Sequence, residues 1–145
     1  MIPAEWVEAA SRRIDAQITH TPITFDENLE LYYKWENQQV TGSFKIRGAL
    51  NKVLSLTSEE RANGLVTCSA GNHGQGVAVA ARQTGTGCVV YASDHAGPVK
   101  LEAMRKLGAD VRLVSGGYVE AEKTAIECAD DTGMTFISPY NDPEV

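Results

Sequence analysis

The sequence predicts an α/β fold built on a parallel sheet with flanking helices. From residue 64 onward, short apolar runs at Leu65–Cys68, Cys88–Ala92, Val111–Val114 and Thr135–Ile137 alternate with helix-like stretches. Those stretches lie at about His73–Thr84, Val99–Leu107 and Tyr118–Thr132. The runs start roughly every 23 residues, which is room for one strand, one helix and two short loops. Gly85, Gly108 and Gly133 fall where each helix should end, a position that favours a left-handed residue. A β-α-β-α-β-α-β series closes into a parallel sheet through right-handed crossovers.

The residues before this repeat are less regular. Pro3 to Ile18 reads as an amphipathic helix, with Trp6, Ala10, Ile14 and Ile18 on one face and a proline suited to the first turn. His20-Thr21-Pro22 breaks it, because the residue before a proline is pushed out of helical geometry. Leu29 to Trp35 alternates apolar and polar, the period of a strand. A polar bend from Glu36 to Gly42 leads into a helix from about Ser43 to Leu56. Thr57-Ser58-Glu59-Glu60 is a capping-box pattern that starts a further short helix. The expected boundary lies near residues 55–63, dividing an N-terminal segment (1–55) from the α/β unit (56–145).

Composition narrows the function. The 145 residues are 43% hydrophobic and 22% charged, and Lys and Arg total 13 against 19 Asp and Glu, a net charge of -6. That balance predicts a globular domain with a core and argues against nucleic-acid or anionic-membrane partners. Cys68, Cys88 and Cys128 are an odd number without C-x-x-C spacing, so neither a disulfide framework nor a zinc knuckle is expected. His20, His73 and His95 form no metal-ligand pattern. No apolar run approaches the ~20 residues of a membrane span, and no signal peptide is visible. A reduced, cytoplasmic protein is the expectation. After Ile137 the chain ends in Ser138-Pro139-Tyr140-Asn141-Asp142-Pro143-Glu144-Val145 with no closing helix, which suggests a fragment.

Two segments could carry chemistry. Ser69-Ala70-Gly71-Asn72-His73-Gly74 follows the first strand of the repeat and opens directly into a helix. Ligands of open parallel sheets bind beyond the carboxyl ends of strands, and small residues with free helix-start amides favour an anion there. The same residues also suit a tight strand-to-helix turn with no ligand. The spacing G-x-x-G-x-G (Gly71, Gly74, Gly76) is not the dinucleotide fingerprint, and no P-loop is present. The G-x-S-x-G of a serine hydrolase is absent too. Cys68 at the end of its strand reads as packing. The second segment, Thr41-Gly42-Ser43-Phe44-Lys45-Ile46-Arg47-Gly48-Ala49, puts Lys45 in the first turn of a helix. A cation there is disfavoured by the helix dipole, which favours a neutral, nucleophilic amine. Most lysines are simply solvated charges. By default Phe44 would be core and Arg47 a surface or ion-pair residue.

Together, in this order, the two segments resemble the pyridoxal 5'-phosphate (PLP) enzymes of fold type II, the tryptophan-synthase-β-like fold, and most closely the threonine/serine dehydratase branch. His20-Thr21-Pro22, Lys100 through Leu107-Gly108-Ala109, and Pro139-Tyr140-Asn141-Asp142-Pro143 agree. The resemblance implies that Lys45 is the Schiff-base lysine and the base for the α-proton. It also implies that Phe44 packs on the cofactor ring and Asn72 bonds its 3'-oxygen. Ser69, Ala70, Gly71, Asn72 and His73 would form the loop that holds the substrate carboxylate.

The implied reaction is deamination of L-threonine or L-serine to a 2-oxo acid and ammonia. Ile46 after the lysine, rather than an Asp, favours the dehydratase branch. Ala70 stands where serine racemases of the family carry a second serine, which disfavours the alternative of an amino-acid racemase. A non-catalytic carboxylate-binding α/β domain is the other alternative. His95-Ala96-Gly97-Pro98 and Val40 depart from the family pattern without touching the chemistry. Family members continue with a glycine-rich phosphate loop and a Ser or Cys at the pyridine nitrogen. Residues 1–145 would therefore hold a complete small domain and only part of the large one. A homo-oligomer or a complementing C-terminal half is the expected partner, and this chain alone is expected to bind PLP weakly.

Overall fold

A computed structural model describes residues 2–145. Helix α1 (Ala4–Ile14) follows Pro3 and passes into a 3-10 turn at Asp15–Gln17, so it stops short of Ile18. The cause is downstream: the Thr19 amide donates to Gln39 Oε1 at 2.8 Å, and Gln39 Nε2 donates to the Thr19 carbonyl at 2.7 Å. Gln39 is buried, and pairing with it draws residues 18–19 out of helical geometry. Of the expected apolar face only Ile14 is buried; Trp6 is 53% exposed.

Strands β1 (Ile23–Asp26) and β2 (Leu31–Lys34) form an antiparallel hairpin. Only a single strand, Leu29–Trp35, was expected here. The bend begins earlier because Asp26 Oδ1 accepts from the Asn28 and Leu29 amides at 2.9 and 3.1 Å, and Glu30 takes a positive φ of 51°. The alternation marks no buried face: Ile23, Phe25, Leu31 and Tyr32 are all exposed.

Helix α2 (Lys45–Ser55) is followed by α3 (Ser58–Ala62), where Thr57 and Glu60 form the reciprocal capping box. The repeat then runs as expected, through β3 (Leu65–Cys68), α4 (Asn72–Thr84), β4 (Cys88–Ser93), α5 (Pro98–Lys106), β5 (Asp110–Val114), α6 (Tyr118–Thr132) and β6 (Thr135–Phe136). The helices α4 and α6 end at left-handed Gly85 and Gly133. All four strands are parallel, in the order β5-β4-β3-β6.

Strands β3 and β4 are buried on both faces, and their side chains divide by the period of two. Leu65, Cys88, Val90 and Ala92 pack with α2, α4 and α5; Val66, Cys68, Val89 and Tyr91 pack with Ala121, Ala125 and Ala129 of α6. Each fully buried Val, Leu or Ile contributes about 1.5–3 kcal/mol, so Leu50, Val53, Leu65 and Val90 anchor the layer between sheet and α2/α4. Among the described residues no helix is long and apolar enough to cross a membrane.

Candidate active site

The chain lays β3, β4 and β5 side by side in one direction, then places β6 on the other side of β3. The strand order therefore reverses between β3 and β6, and the carboxyl end of that gap is where open parallel sheets bind ligands. The loop after β3, Ser69–Gly71, and the segment after β6, Ser138–Tyr140, both emerge there.

Helix α4 starts at this gap. Ser69 is buried and its Oγ accepts from the Gly71 amide at 3.1 Å, which folds the loop tightly into the helix. The first intrahelical bond at this end runs from the Gln75 amide to the Gly71 carbonyl at 3.2 Å, so the Asn72, His73 and Gly74 amides precede any intrahelical acceptor. Ala70 and Asn72 are exposed and Gly71 is half-buried. A Cβ on Gly71 would lie 3.6 Å from Lys100 Nζ, so this cation from α5 overhangs the loop. His73 differs from its neighbours: its ring is buried, and Nε2 lies 3.3 Å from the Ile137 carbonyl.

Lys45 reaches the same place from α2. Ser43 is buried, and its Oγ accepts from the Lys45 amide at 3.2 Å, setting the helix start. Gly76 lets α2 approach α4 closely: a Cβ there would stand 3.2 Å from the Lys45 carbonyl oxygen. The Lys45 amine donates to the Pro139 carbonyl at 3.3 Å, and lies 5.6 Å from the Phe44 ring centre and 5.8 Å from that of Tyr140. Tyr140 in turn packs edge-on against Tyr118 at the start of α6, 5.9 Å between centroids. Phe44 is 59% exposed and not core. It caps the lysine instead.

Arg47 is an ion-pair residue. Its Nε and one terminal nitrogen donate to the two Glu36 oxygens at 2.9 and 2.8 Å, and the Thr21 hydroxyl donates to the same carboxylate at 2.6 Å. With Gln39 gripping Thr19, this ties the segment before Lys45 to the helix that carries it. The Arg47 guanidinium holds the Glu36 carboxyl at about 2, against burial and with help from Thr21. Because this value lies below the unfolded one, the pair's stabilisation is fully present above about pH 4.5 and is lost as pH falls toward 2. Glu36→Gln should therefore cost about 2 kcal/mol at pH 7 and flatten the acid limb, read as urea midpoints between pH 7 and pH 3. An unaltered acid limb would contradict this.

Burial pushes the Cys68 and Cys88 thiols up to about 12, so neither is a thiolate nucleophile at neutral pH. Pro139, Tyr140, Lys100 and Glu36 were not singled out as site residues from the sequence. No local spacing joins residue 36 to 47 or residue 45 to 139; only the tertiary path does.

The arrangement is a primary amine between two aromatic rings, beside an amide-rich loop of small residues at the sheet's switch point. Residues 14–145 match the family described as pyridoxal-phosphate dependent enzyme. The chain belongs to this family. It is 40% identical to an L-threonine ammonia-lyase of Thermotoga maritima over the whole of this chain and 38% of that relative. Its structure matches threonine deaminase isoform 2 of Solanum lycopersicum with a TM-score of 0.90 at 31% identity, covering 97% of this chain and 43% of the other. It matches maize serine racemase at 0.91 and 28%, over 97% and 44%. The chain thus spans well under half the length of these relatives, and its parallel sheet with flanking helices is that of fold type II.

The residues present fit the family's cofactor at its reactive end. The lysine amine is held at one carbonyl, ring faces flank it, and the loop beside it lacks bulky side chains.

Proposed function

We propose that this chain is the lysine-bearing part of a PLP-dependent threonine/serine ammonia-lyase. In this reading residues 1–55 belong to the larger domain of the whole enzyme and 56–145 form the smaller one. The observation that carries it is the position of the Lys45 amine at the switch point between β3 and β6, bonded to Pro139 beside the α4 N-terminus. Lys45 is the covalent attachment point, Phe44 covers the cofactor ring, and Asn72 is its hydrogen-bonding neighbour. PLP, when bound, supplies the electron sink for cleavage at the substrate's α-carbon.

The protein's residues do the rest. The amides at the start of α4, with Ser69, Ala70, Gly71, Asn72 and His73 around them, hold the substrate carboxylate. The Lys45 amine accepts the α-proton at Nζ, with the Phe44 and Tyr140 rings flanking it. Ala70 offers no hydroxyl for proton return on the opposite face, which favours deamination over racemisation. The relatives' names, L-threonine ammonia-lyase and threonine deaminase, support the same substrate class. The phosphate end of the cofactor falls to sequence the longer relatives carry beyond this match, so the 145-residue chain alone is proposed to be weakly active and to require that complement.

The test combines this chain with the remaining part of the enzyme, supplies L-serine, and separates the products. Pyruvate in large excess over D-serine supports the reading. D-serine as the main product assigns the racemase alternative instead.

A further inference from the structure

In the proposed reading His73 serves the carboxylate site through its backbone amide alone, because its ring is turned inward. It is 4% exposed, its Nε2 is bound to the Ile137 carbonyl, and Nδ1 is buried with no partner among the described residues. A carbonyl only accepts, so Nε2 carries the hydrogen and Nδ1 the bare lone pair. Thr67, also fully buried, donates its hydroxyl to the same Ile137 carbonyl at 2.7 Å. One carbonyl thus takes two buried side-chain donors just where β6 ends. The Ile137 amide is itself bound to the Val66 carbonyl at 2.9 Å.

Two residues later, the buried Pro139 offers its carbonyl to Lys45. Beyond it the chain is tied back to α2 by Asp142 on Lys52 at 3.0 Å and by Asn51 donating to the Glu144 carbonyl at 2.8 Å. The stretch 137–144 is therefore a strap pinned at both ends, with the acceptor for Lys45 between the pins.

We propose that His73, in its neutral Nε2–H form, is a positioning residue that fixes the Ile137 carbonyl and, through Ser138, sets the Pro139 carbonyl that holds the Lys45 amine. This deepens the proposed function, since it rests on Lys45 being the reactive amine. The neutral form fits the surroundings. Burial, joined by the Lys45 charge, pushes His73 down to about 4, against the Ile137 carbonyl and the Asp142 carboxylate, which favour protonation. Among the described residues the charges facing it are those of Lys45 from α2 and Asp142 from the strap.

The experiment uses the 145-residue chain itself and needs neither cofactor nor turnover. Lysine acylation by acetic anhydride at fixed pH is resolved by peptide mass, with exposed Lys123 as internal reference. His73→Leu should free the strap and raise the Lys45 rate about five-fold relative to Lys123, while His73→Gln, which keeps an N–H donor, should stay within about two-fold of the native chain. Equal Lys45 rates in His73→Leu and the native chain, or His73→Gln behaving like His73→Leu, overturns the proposal. Should His73→Leu fail to fold, a long-range proton–nitrogen spectrum of the native chain decides: Nε2–H with a bare Nδ1 down to about pH 5 supports it, and the opposite tautomer overturns it. None of these outcomes depends on what the whole enzyme catalyses, so this proposal can fail while the ammonia-lyase reading stands, and the reverse.

Discussion

Gly76→Val should destabilise the chain by about 3 kcal/mol. A Cβ at this position would lie 3.2 Å from Ala49 Cβ, 3.2 Å from the Lys45 carbonyl oxygen and 3.3 Å from its carbon. Two of these neighbours are backbone atoms of a helix, which cannot swing aside as a long side chain would. The two further methyl groups of valine add to the conflict. Helix α2 must then retreat from α4, uncovering Ala49, Leu50 and Val53, all fully buried. Gly87→Ala is the control, because a Cβ there meets nothing within 4 Å. Urea midpoints at neutral pH should fall sharply for the first and hold within about 0.5 kcal/mol for the second. Equal midpoints would mean that α2 does not rest on α4 as described.

On the proposed ammonia-lyase reading, in which the same amine is attachment point and base, Lys45→Ala should lower 2-oxo-acid formation by about 10⁴-fold in the chain joined to the C-terminal part of a longer relative. Lys45→Arg should fare no better. A guanidinium keeps the charge and the aromatic contacts but is protonated at working pH, so it offers no lone pair. Stability should barely change in either variant, since among the described residues Lys45 makes one side-chain hydrogen bond, at 3.3 Å. An Ala variant retaining a tenth of the activity would remove Lys45 from the chemistry.

How far the sequence could be read depends on where each residue's constraint comes from. Strands β3 and β4 and the helices between them were legible because a buried parallel strand is apolar throughout and each helix ends at its own glycine. The β1–β2 hairpin was not, because a two-stranded ribbon with no layer behind it writes no buried face into Ile23–Asp26. The end of α1 was hidden for another reason: its determinant, Gln39, lies some twenty residues away. At the site, the Lys45 segment and the Ser69–Gly74 loop were visible as local motifs at helix starts. Hydrophobicity alone makes Phe44 core by default and does not tell a packed ring from an exposed one; only the family resemblance sets it on the cofactor ring instead. The Pro139 carbonyl that receives Lys45 is a backbone atom brought in by β6 pairing across β3, and no side-chain pattern records it.

Placement of the Lys45 amine for covalent union with PLP is tested most directly by adding PLP to the purified chain together with the C-terminal part of a longer relative such as the Thermotoga maritima L-threonine ammonia-lyase, reducing with borohydride, and sequencing the digest by mass. A pyridoxyl group on the peptide containing Lys45, lost in Lys45→Ala, is the predicted result. Labelling spread over surface lysines such as Lys106 and Lys123 with none on Lys45 would contradict it.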